Sequence, residues 1–302
     1  MINKNSKIFI AGHKGMVGSA IYRCLLEKGF KNIYTKTRNE LDLTNNNAVQ
    51  KYLRINKFDI VLCCAAQVGG IQANATYQGD FIMNNLEIQN NLIINSFKLK
   101  IKKLIFLGSS CIYPKTHSKA IKESSMLKSS LEETNEPYAV AKIAGLKLCE
   151  YLSKQYGYDY RTIIPCNLYG PNDNFHPKNS HVLAGLIRKF HMAKKSKKNV
   201  IVWGSGRPKR EFLHVDDLAE GVVTILILGK KKYRELLGKD FNHINIGSGK
   251  DVTVNELSIL IKKITNSKSK ITFDRTKPDG VNRKLLDISI MKKTGWTPKY
   301  SL

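Results

Sequence analysis

The sequence predicts an α/β fold: a Rossmann-type, doubly wound parallel sheet followed by a smaller C-terminal substrate-binding lobe. Three observations predict it. Strand-like and helix-like runs alternate through the first half, as a parallel sheet with crossover helices requires. A glycine-rich turn, Gly12-His13-Lys14-Gly15-Met16-Val17-Gly18, closes the first strand-like run and opens a helical one. After about Pro165 the rhythm breaks into loops, short strands and isolated helices. The expected division is a nucleotide-binding unit over 1–165, with a return segment near 207–249, and a lobe that is mainly 166–302.

In order, short β-branched and apolar runs predict strands at 7–11, 32–36, 59–63, 103–107 and 161–164, and 3.6-residue periodicity predicts helices at 16–28, 45–56, 81–100 and 137–156. The helix at 81–100 carries two apolar stripes, one of Ile82, Leu86, Ile93 and Phe97, the other of Met83, Ile88, Leu92 and Leu99. A helix packed on its own sheet needs only one stripe, so a second partner is expected, either another helix of the chain or a second subunit. Gly170, Pro171, Pro177 and Asn179 then punctuate a loop, an amphipathic helix spans 182–194, a strand at 241–246 returns to the sheet, and a last helix runs over 254–265.

With 302 residues, 42% of them hydrophobic, the chain can bury a substantial core. No apolar run approaches the ~20 residues of a membrane span, and the N-terminus enters a strand without a secretory leader, so the expected setting is cytoplasmic. Six cysteines without a C-x-x-C pair argue against a zinc site or a disulfide framework. The formal charge of +26 suits anionic ligands but does not specify one. Its densest cluster, Lys194, Lys195, Lys197 and Lys198, has no interleaved aromatics and reads as a solvated loop, so no specific nucleic-acid partner is expected.

The glycine turn has a mechanism in this context. Glycines allow a tight turn and close backbone approach to a pyrophosphate at the positive end of a helix. After the second strand an NAD site normally carries an acid for the ribose 2′-hydroxyl, whereas this chain offers Lys36 and Arg38. Cations there favour the 2′-phosphate of NADP(H), with Arg38 the better candidate because a guanidinium bonds phosphate bidentately.

Tyr138 and Lys142 lie four residues apart at the start of a helix and share a face. A nearby ammonium lowers a phenol's pKa and lets it exchange a proton with a carbonyl or an alcohol. Leu107-Gly108-Ser109-Ser110-Cys111 follows the fourth strand, at the sheet end where open α/β folds bind ligands, so Ser109 can bond the reacting oxygen. Glycine turn, serine, tyrosine and lysine together resemble a short-chain dehydrogenase/reductase. The stretches AGHKGMVGSAI, VGGI, LGSSCIYP, EPYAVAKIAGLKLCE, NLYGPNDNFHPKNSHV, VWGSG, REFLHVDD, and KPDG with RKLLD are similar to the GDP-L-fucose synthase family of extended short-chain dehydrogenase/reductases.

That resemblance implies epimerisation of GDP-4-keto-6-deoxy-D-mannose at C3 and C5, then NADPH-dependent reduction of the C4 ketone. It assigns the epimerising pair to Cys111 and His181, whose pKa values near ~8.5 and ~6.5 suit proton exchange. It gives Tyr138 the proton donated to C4, Lys142 the tuning of Tyr138 and a cofactor contact, and Ser109 the polarisation of the ketone. Further cofactor contacts are implied at Leu107, Gly108, Pro165, Asn167, Leu168 and His181, and contacts to the GDP end at Lys189, Trp203, Arg210 and Asp279. Trp203 reads equally well as lobe core. A homodimer through the helices at 81–100 and 137–156 is also implied. Two departures from the family pattern stand out: Val281-Asn282 beside the KPDG glycine, and an end at Tyr300-Ser301-Leu302 where a final helix usually follows.

Two rivals carry different expectations. A sugar-nucleotide 4-epimerase or 4,6-dehydratase would retain NAD, against which Arg38 and the Cys111/His181 pair argue. An NADP-sensing or polyanion-binding regulator would have lost its chemistry, against which the intact Ser109, Tyr138, Lys142, Cys111 and His181 argue.

Overall fold

The computed structural model describes residues 2–117, 119–177, 179–196, 198–238 and 241–302; Lys197 of the lysine cluster lies outside them. The first half builds β1 (Ile8–Ala11), α1 (Met16–Glu27), β2 (Ile33–Lys36), α2 (Asn46–Asn56), β3 (Ile60–Cys63), α3 (Ile71–Thr76), α4 (Gln78–Lys98), β4 (Lys103–Leu107), α5 (Glu136–Tyr156) and β5 (Asp159–Pro165). The rest adds β6 (Asn167–Tyr169), α6 (Val182–Ser196), β7 (Val200–Trp203), β8 (Lys209–His214), α7 (Val215–Ile227), α8 (Lys230–Leu237), β9 (His243–Ile246), β10 (Asp251–Thr253), α9 (Val254–Ile264), β11 (Ile271–Asp274), β12 (Arg283–Lys284) and α10 (Ser289–Lys292).

Six parallel strands in the order β2-β1-β3-β4-β5-β9 form the main sheet. Every residue of β1, β3 and β9 is buried, as strands covered on both faces must be, which is why they read as unbroken apolar runs. On one face α1 packs against α7, and on the other α4 packs against α5. The α4 and α5 helices approach closely because residue 145 is glycine: a Cβ there would lie 2.6 Å from Phe106 Cζ and 2.9 Å from the Gln89 amide. Gln89 closes the contact by donating 2.6 Å to the Ala141 carbonyl.

The second partner of α4 is therefore α5 of the same chain. Leu92 and Ile93, one from each expected stripe, are both fully buried, whereas Met83 is 58% exposed. Between them the inward face also buries Asn85, Gln89, Asn95 and Ser96, so α4 is less purely apolar than its stripes imply.

The segment 215–227, left among loops by the sequence reading, is helix α7. Its polar side is a narrow stripe of Asp216, Glu220 and Thr224, and the His214 imidazole caps it by accepting from Asp216 N. The buried Asp217 carboxylate in turn accepts 2.9 Å bonds from Lys299 N and Tyr300 N, tying the last residues to this helix.

A second sheet, β10-β8-β12 with β6 paired to β8, and the β7–β11 pair make the smaller lobe. Its own core gathers Leu183, Leu186 and Phe190 of α6, Val200 and Val202 of β7, and Leu257 and Ile261 of α9. In the 207–249 segment, β8 belongs to this lobe while β9 joins the main sheet.

Candidate active site

Strand order reverses at β1, with β2 on one side and β3 on the other, so a crevice opens beyond the carboxyl end of β1. Gly12 takes φ 91°, and a Cβ there would lie 2.7 Å from Ala65 N, just after β3. A Cβ on Gly18 would lie 2.2 Å from the Gly12 carbonyl oxygen. Gly15 donates 3.1 Å to that same carbonyl and opens α1 without a side-chain cap, while the buried Nδ1 of His13 has no partner among the described residues. A cradle that side chains would fill, an uncapped helix start and an orphaned polar atom fit a bound pyrophosphate. Lys14, Met16 and Val17 occupy the same turn and first helical residues.

At the end of β2, Lys36 Nζ sits 3.0 Å from Glu40 Oε1. Glu40 also accepts from Thr37 N at 2.8 Å and Thr37 Oγ1 at 2.7 Å, and these bonds with Lys36 bring its carboxyl down to about 2. Arg38 stands exposed outside this knot, so its guanidinium is the freer cation at the edge of the crevice.

The candidate reacting groups come from two elements. After β4, Gly108 N donates 2.8 Å to Ile163 O, and Ser109 turns the chain into a single 3-10 turn at Ser110–Ile112, its Oγ accepting from Cys111 N at 3.4 Å. Before α5, the Glu132 carboxylate accepts from Thr134 N at 3.2 Å and Asn135 N at 3.1 Å, which fixes where the helix begins and hence where Tyr138 points. The Ser109 hydroxyl lies beside both the Tyr138 phenol and the Cys111 thiol and lowers the pKa of each against the rise that burial causes. One hydroxyl thus joins the group expected for reduction to one expected for epimerisation.

Lys142 lies one turn beyond Tyr138 and is buried. Its Nζ donates 2.9 Å to Leu107 O, above the Phe106 ring at 4.7 Å and 5.7 Å from the Tyr138 ring centroid. Burial brings its pKa down to about 8, with Cys111 the first of the groups that oppose the fall. The sequence leads one to expect Lys142 to lower the Tyr138 pKa. Here burial raises it, Cys111 adds to the rise and Ser109 opposes it, while Lys142 Nζ donates to the Leu107 carbonyl. Tyr138 is consequently a neutral phenol.

Burial also pushes the Cys111 thiol up, against Lys284, Ser109 and Lys142. His181 is exposed and lies immediately before α6. The protein around its ring lowers its pKa, Asp173 opposes this and Lys284 reinforces it. The resting pair is a protonated thiol and a neutral imidazole. Pro165 ends β5, and the next strand brings Asn167, whose Nδ2 donates 3.0 Å to Glu211 O, together with the partly buried Leu168 across to β8.

The four residues implied for the GDP end form one cluster in the smaller lobe. Lys189 Nζ donates 2.8 Å to Ile201 O and lies 5.4 Å from the Trp203 ring centroid. Trp203 is 44% exposed, which makes it a surface ring and not lobe core. Asp279 accepts from Ser205 N at 2.6 Å and Ser205 Oγ at 2.8 Å, and its carbonyl accepts 3.2 Å from Arg210 Nη2.

Sequence reasoning missed Lys284. It pairs in register with Arg210 across β12 and β8 and acts electrostatically on Cys111, His181 and His117. Glu211 was missed too: buried, its carboxylate accepts from Gly249 N at 2.7 Å and Leu286 N at 2.9 Å and so holds the strand that carries Lys284. Both lie within matched motifs, RKLLD and REFLHVDD, but only the tertiary pairing shows what they do. Among the described residues no three His, Cys, Asp or Glu side chains are placed to hold a metal, and no helix is long and apolar enough to cross a membrane.

The sequence profile of the NAD dependent epimerase/dehydratase family matches residues 8–247. GDP-L-fucose synthase 1 of Arabidopsis thaliana is 52% identical over 303 residues, covering 100% of this chain and 91% of that protein. GDP-L-fucose synthase of Escherichia coli (strain K12) is 48% identical over 297 residues, covering 98% and 92%. Among solved structures, the GDP-D-glycero-L-gluco-heptose synthase CJ1428 of Campylobacter jejuni, crystallised in the presence of NADPH, superposes with a TM-score of 0.92 at 36% identity, covering 100% of this chain and 96% of that one.

Proposed function

Because this chain belongs to the NAD dependent epimerase/dehydratase family, and within it to the GDP-L-fucose synthases, we propose that its single cleft carries both halves of their reaction with the residues described above. The substrate is GDP-4-keto-6-deoxy-D-mannose, the cofactor NADP(H) and the product GDP-L-fucose. The observation that carries the assignment of residues is the Ser109 hydroxyl, which accepts from Cys111 N and acts on both the Tyr138 phenol and the Cys111 thiol.

A C4 ketone acidifies the C–H bonds on both flanking carbons. At C5 and again at C3, one member of the Cys111/His181 pair removes the proton, the electrons pass to the C4 oxygen as an enolate, and the other member returns a proton from the opposite face. Ser109 and the Lys284 ammonium stabilise the negative charge while it exists. NADPH, when bound, supplies the hydride that C4 then receives. Tyr138 delivers its phenol proton to the C4 oxygen as that oxygen becomes a hydroxyl, and the phenolate regains a proton from solvent. The glycine turn at 12–18, Arg38, the 107–108 corner, Lys142, Pro165, Asn167, Leu168 and the backbone near His181 hold the cofactor. Lys189, Trp203, Arg210 and Asp279 hold the GDP end. In this reading 1–165, with the return near 207–249, serves the cofactor, and 166–302 mainly serves the nucleotide sugar.

The reading includes a cytoplasmic setting and a homodimer. Exposed Met83 on α4, with Val140 and Tyr151 on α5, forms an outward apolar face suited to a second copy. Light scattering should give twice the chain mass, and Tyr151→Glu should shift it toward the single chain.

The test of function is NADPH absorbance on addition of GDP-4-keto-6-deoxy-D-mannose, with products resolved by NMR. GDP-L-fucose is expected from the wild type, and little product or mainly unepimerised 4-reduced sugar from Cys111→Ser. Oxidation by Cys111→Ser with wild-type yields of GDP-L-fucose would remove Cys111 from the mechanism.

A further inference from the structure

The segment that carries His181 is held from outside its own lobe. After β3 the 67–70 loop crosses to it, and Gly70 N donates 3.1 Å to the Asn179 carbonyl. A Cβ at residue 70 would lie 2.6 Å from the Ser180 carbonyl oxygen and 3.6 Å from that of Asn179. Only glycine lets the two backbones meet this closely.

The loop is braced from beneath by two buried amides. Asn74 Nδ2 donates 2.7 Å to Gly69 O and 3.1 Å to Gly70 O. Asn85 accepts from Gln67 N at 2.9 Å and donates to Gln67 O at 3.0 Å and Phe81 O at 2.7 Å. Both are at least nine-tenths buried. Phe81 in turn meets the Tyr138 ring edge-on at 6.4 Å, and a Cβ on Gly69 would come within 3.1 Å of Phe81 Cζ. The loop therefore lies between the His181 segment and Phe81, with the two buried amides beneath it.

We propose that the 67–70 loop is a strap that sets His181 at the working distance from the sugar ring, with Gly70 as a positioning residue for proton exchange and not for hydride transfer. The inference rests on the reading of His181 as a proton-exchanging group. Proton transfer needs heavy atoms within about 2.6–3.2 Å, and a misplacement of about 1 Å can cost about 10²-fold in rate. A methyl group at residue 70 must push the Ser180 carbonyl away, because backbone cannot yield as a flexible side chain does. Tyr138 and Ser109 are seated by α5 and β4 and would stay in place.

Two reactions separate the halves. Deuterium wash-in from D2O at C3 and C5 of GDP-4-keto-6-deoxy-D-mannose, with NADP+ present, reports proton exchange alone. The single-turnover formation of NADPH from GDP-L-fucose and NADP+ reports hydride transfer alone. Gly70→Ala should slow wash-in about 10- to 100-fold and leave the NADPH burst within about threefold of wild type. Asn74→Ala loosens the strap without adding a Cβ, so it should shift the same ratio in the same direction by a smaller factor, and it decides the matter if Gly70→Ala does not fold.

Equal losses in both reactions, or unchanged wash-in in the folded variants, would overturn the strap. His181→Gln is run beside them. If it exchanges at the wild-type rate, the reading of His181 fails; if it does not exchange while both strap variants do, the reading stands and the strap fails.

Discussion

Lys142 Nζ donates to the Leu107 carbonyl at 2.9 Å, which anchors the one buried ammonium of the catalytic helix to the end of β4. Because burial lowers its pKa to about 8, the ammonium is lost as pH rises through that value. The kcat/KM for reduction, which reports groups of the free enzyme, should fall above about pH 8. Lys142→Met should lower kcat/KM by about 10²-fold or more and leave a residual rate with no limb near pH 8. A pH profile of both proteins checks this, and an unchanged limb in the variant would assign it to another group.

Glu123 is buried, accepts from Asn245 N at 3.0 Å, and is pushed up to about 7, chiefly by burial. Its folded pKa lies above the unfolded value of about 4.3. The folded state therefore holds the extra proton, and the group's contribution to stability is full below about pH 4.3 and lost as pH rises through about 7. Glu123→Gln keeps an acceptor for Asn245 N and cannot ionise. It should stabilise the protein at pH 8 by on the order of 2 kcal/mol and change little at about pH 4. Thermal melts at the two pH values decide it; an equal shift at both would mean that ionisation is not the cause. Glu211, also pushed up to about 7 by burial, acts with the same sign, so the variant removes only part of the wild-type slope.

Arg38 and Lys36 are both near the expected 2′-phosphate, but Lys36 is already paired with Glu40. Arg38→Ala should reduce the preference for NADPH over NADH by about 10- to 100-fold, the worth of a charge-assisted phosphate contact. Lys36→Ala should reduce it by less than about fivefold, as one exposed ion pair is worth little. The ratio of kcat/KM for the two cofactors is the measurement, and a larger effect at Lys36 would reverse the assignment.

Gly18→Ala places a Cβ 2.2 Å from the Gly12 carbonyl oxygen. The turn must open, at a cost of about 1–3 kcal/mol in stability. NADPH affinity, read by fluorescence titration, should drop more steeply than stability, because the pyrophosphate loses the backbone it rests on. A variant that melts lower yet binds NADPH normally would show that the turn is structural only.

The main sheet and its cofactor turn were legible because each depends on residues close in sequence. Strands buried on both faces read as unbroken apolar runs, and Gly12, Gly15 and Gly18 sit in one turn. Ser109, Tyr138 and Lys142 were legible for the same reason, each with its own local setting. What was hidden has no local signal. Helix α7 starts at Val215 directly after β8 ends at His214, with no glycine, proline or ordinary capping residue to mark the change. The β12 strand is only two residues long, and Lys284 becomes a site residue only when β12 pairs beside Arg210. The fall in Tyr138 acidity was equally hidden, since four-residue spacing shows which groups are neighbours but not how deeply the phenol is buried.

Arg210 and Lys284 stand side by side on adjoining strands, the first beside Asp279 in the nucleotide cluster and the second coupled to Cys111. On the proposed assignment, grip on the diphosphate is geared to the charge that greets the sugar: the leash that tethers the molecule also aims it. A substrate shorn of its guanosine should accordingly turn over slowly even at saturation, with the deficit in kcat as well as in KM.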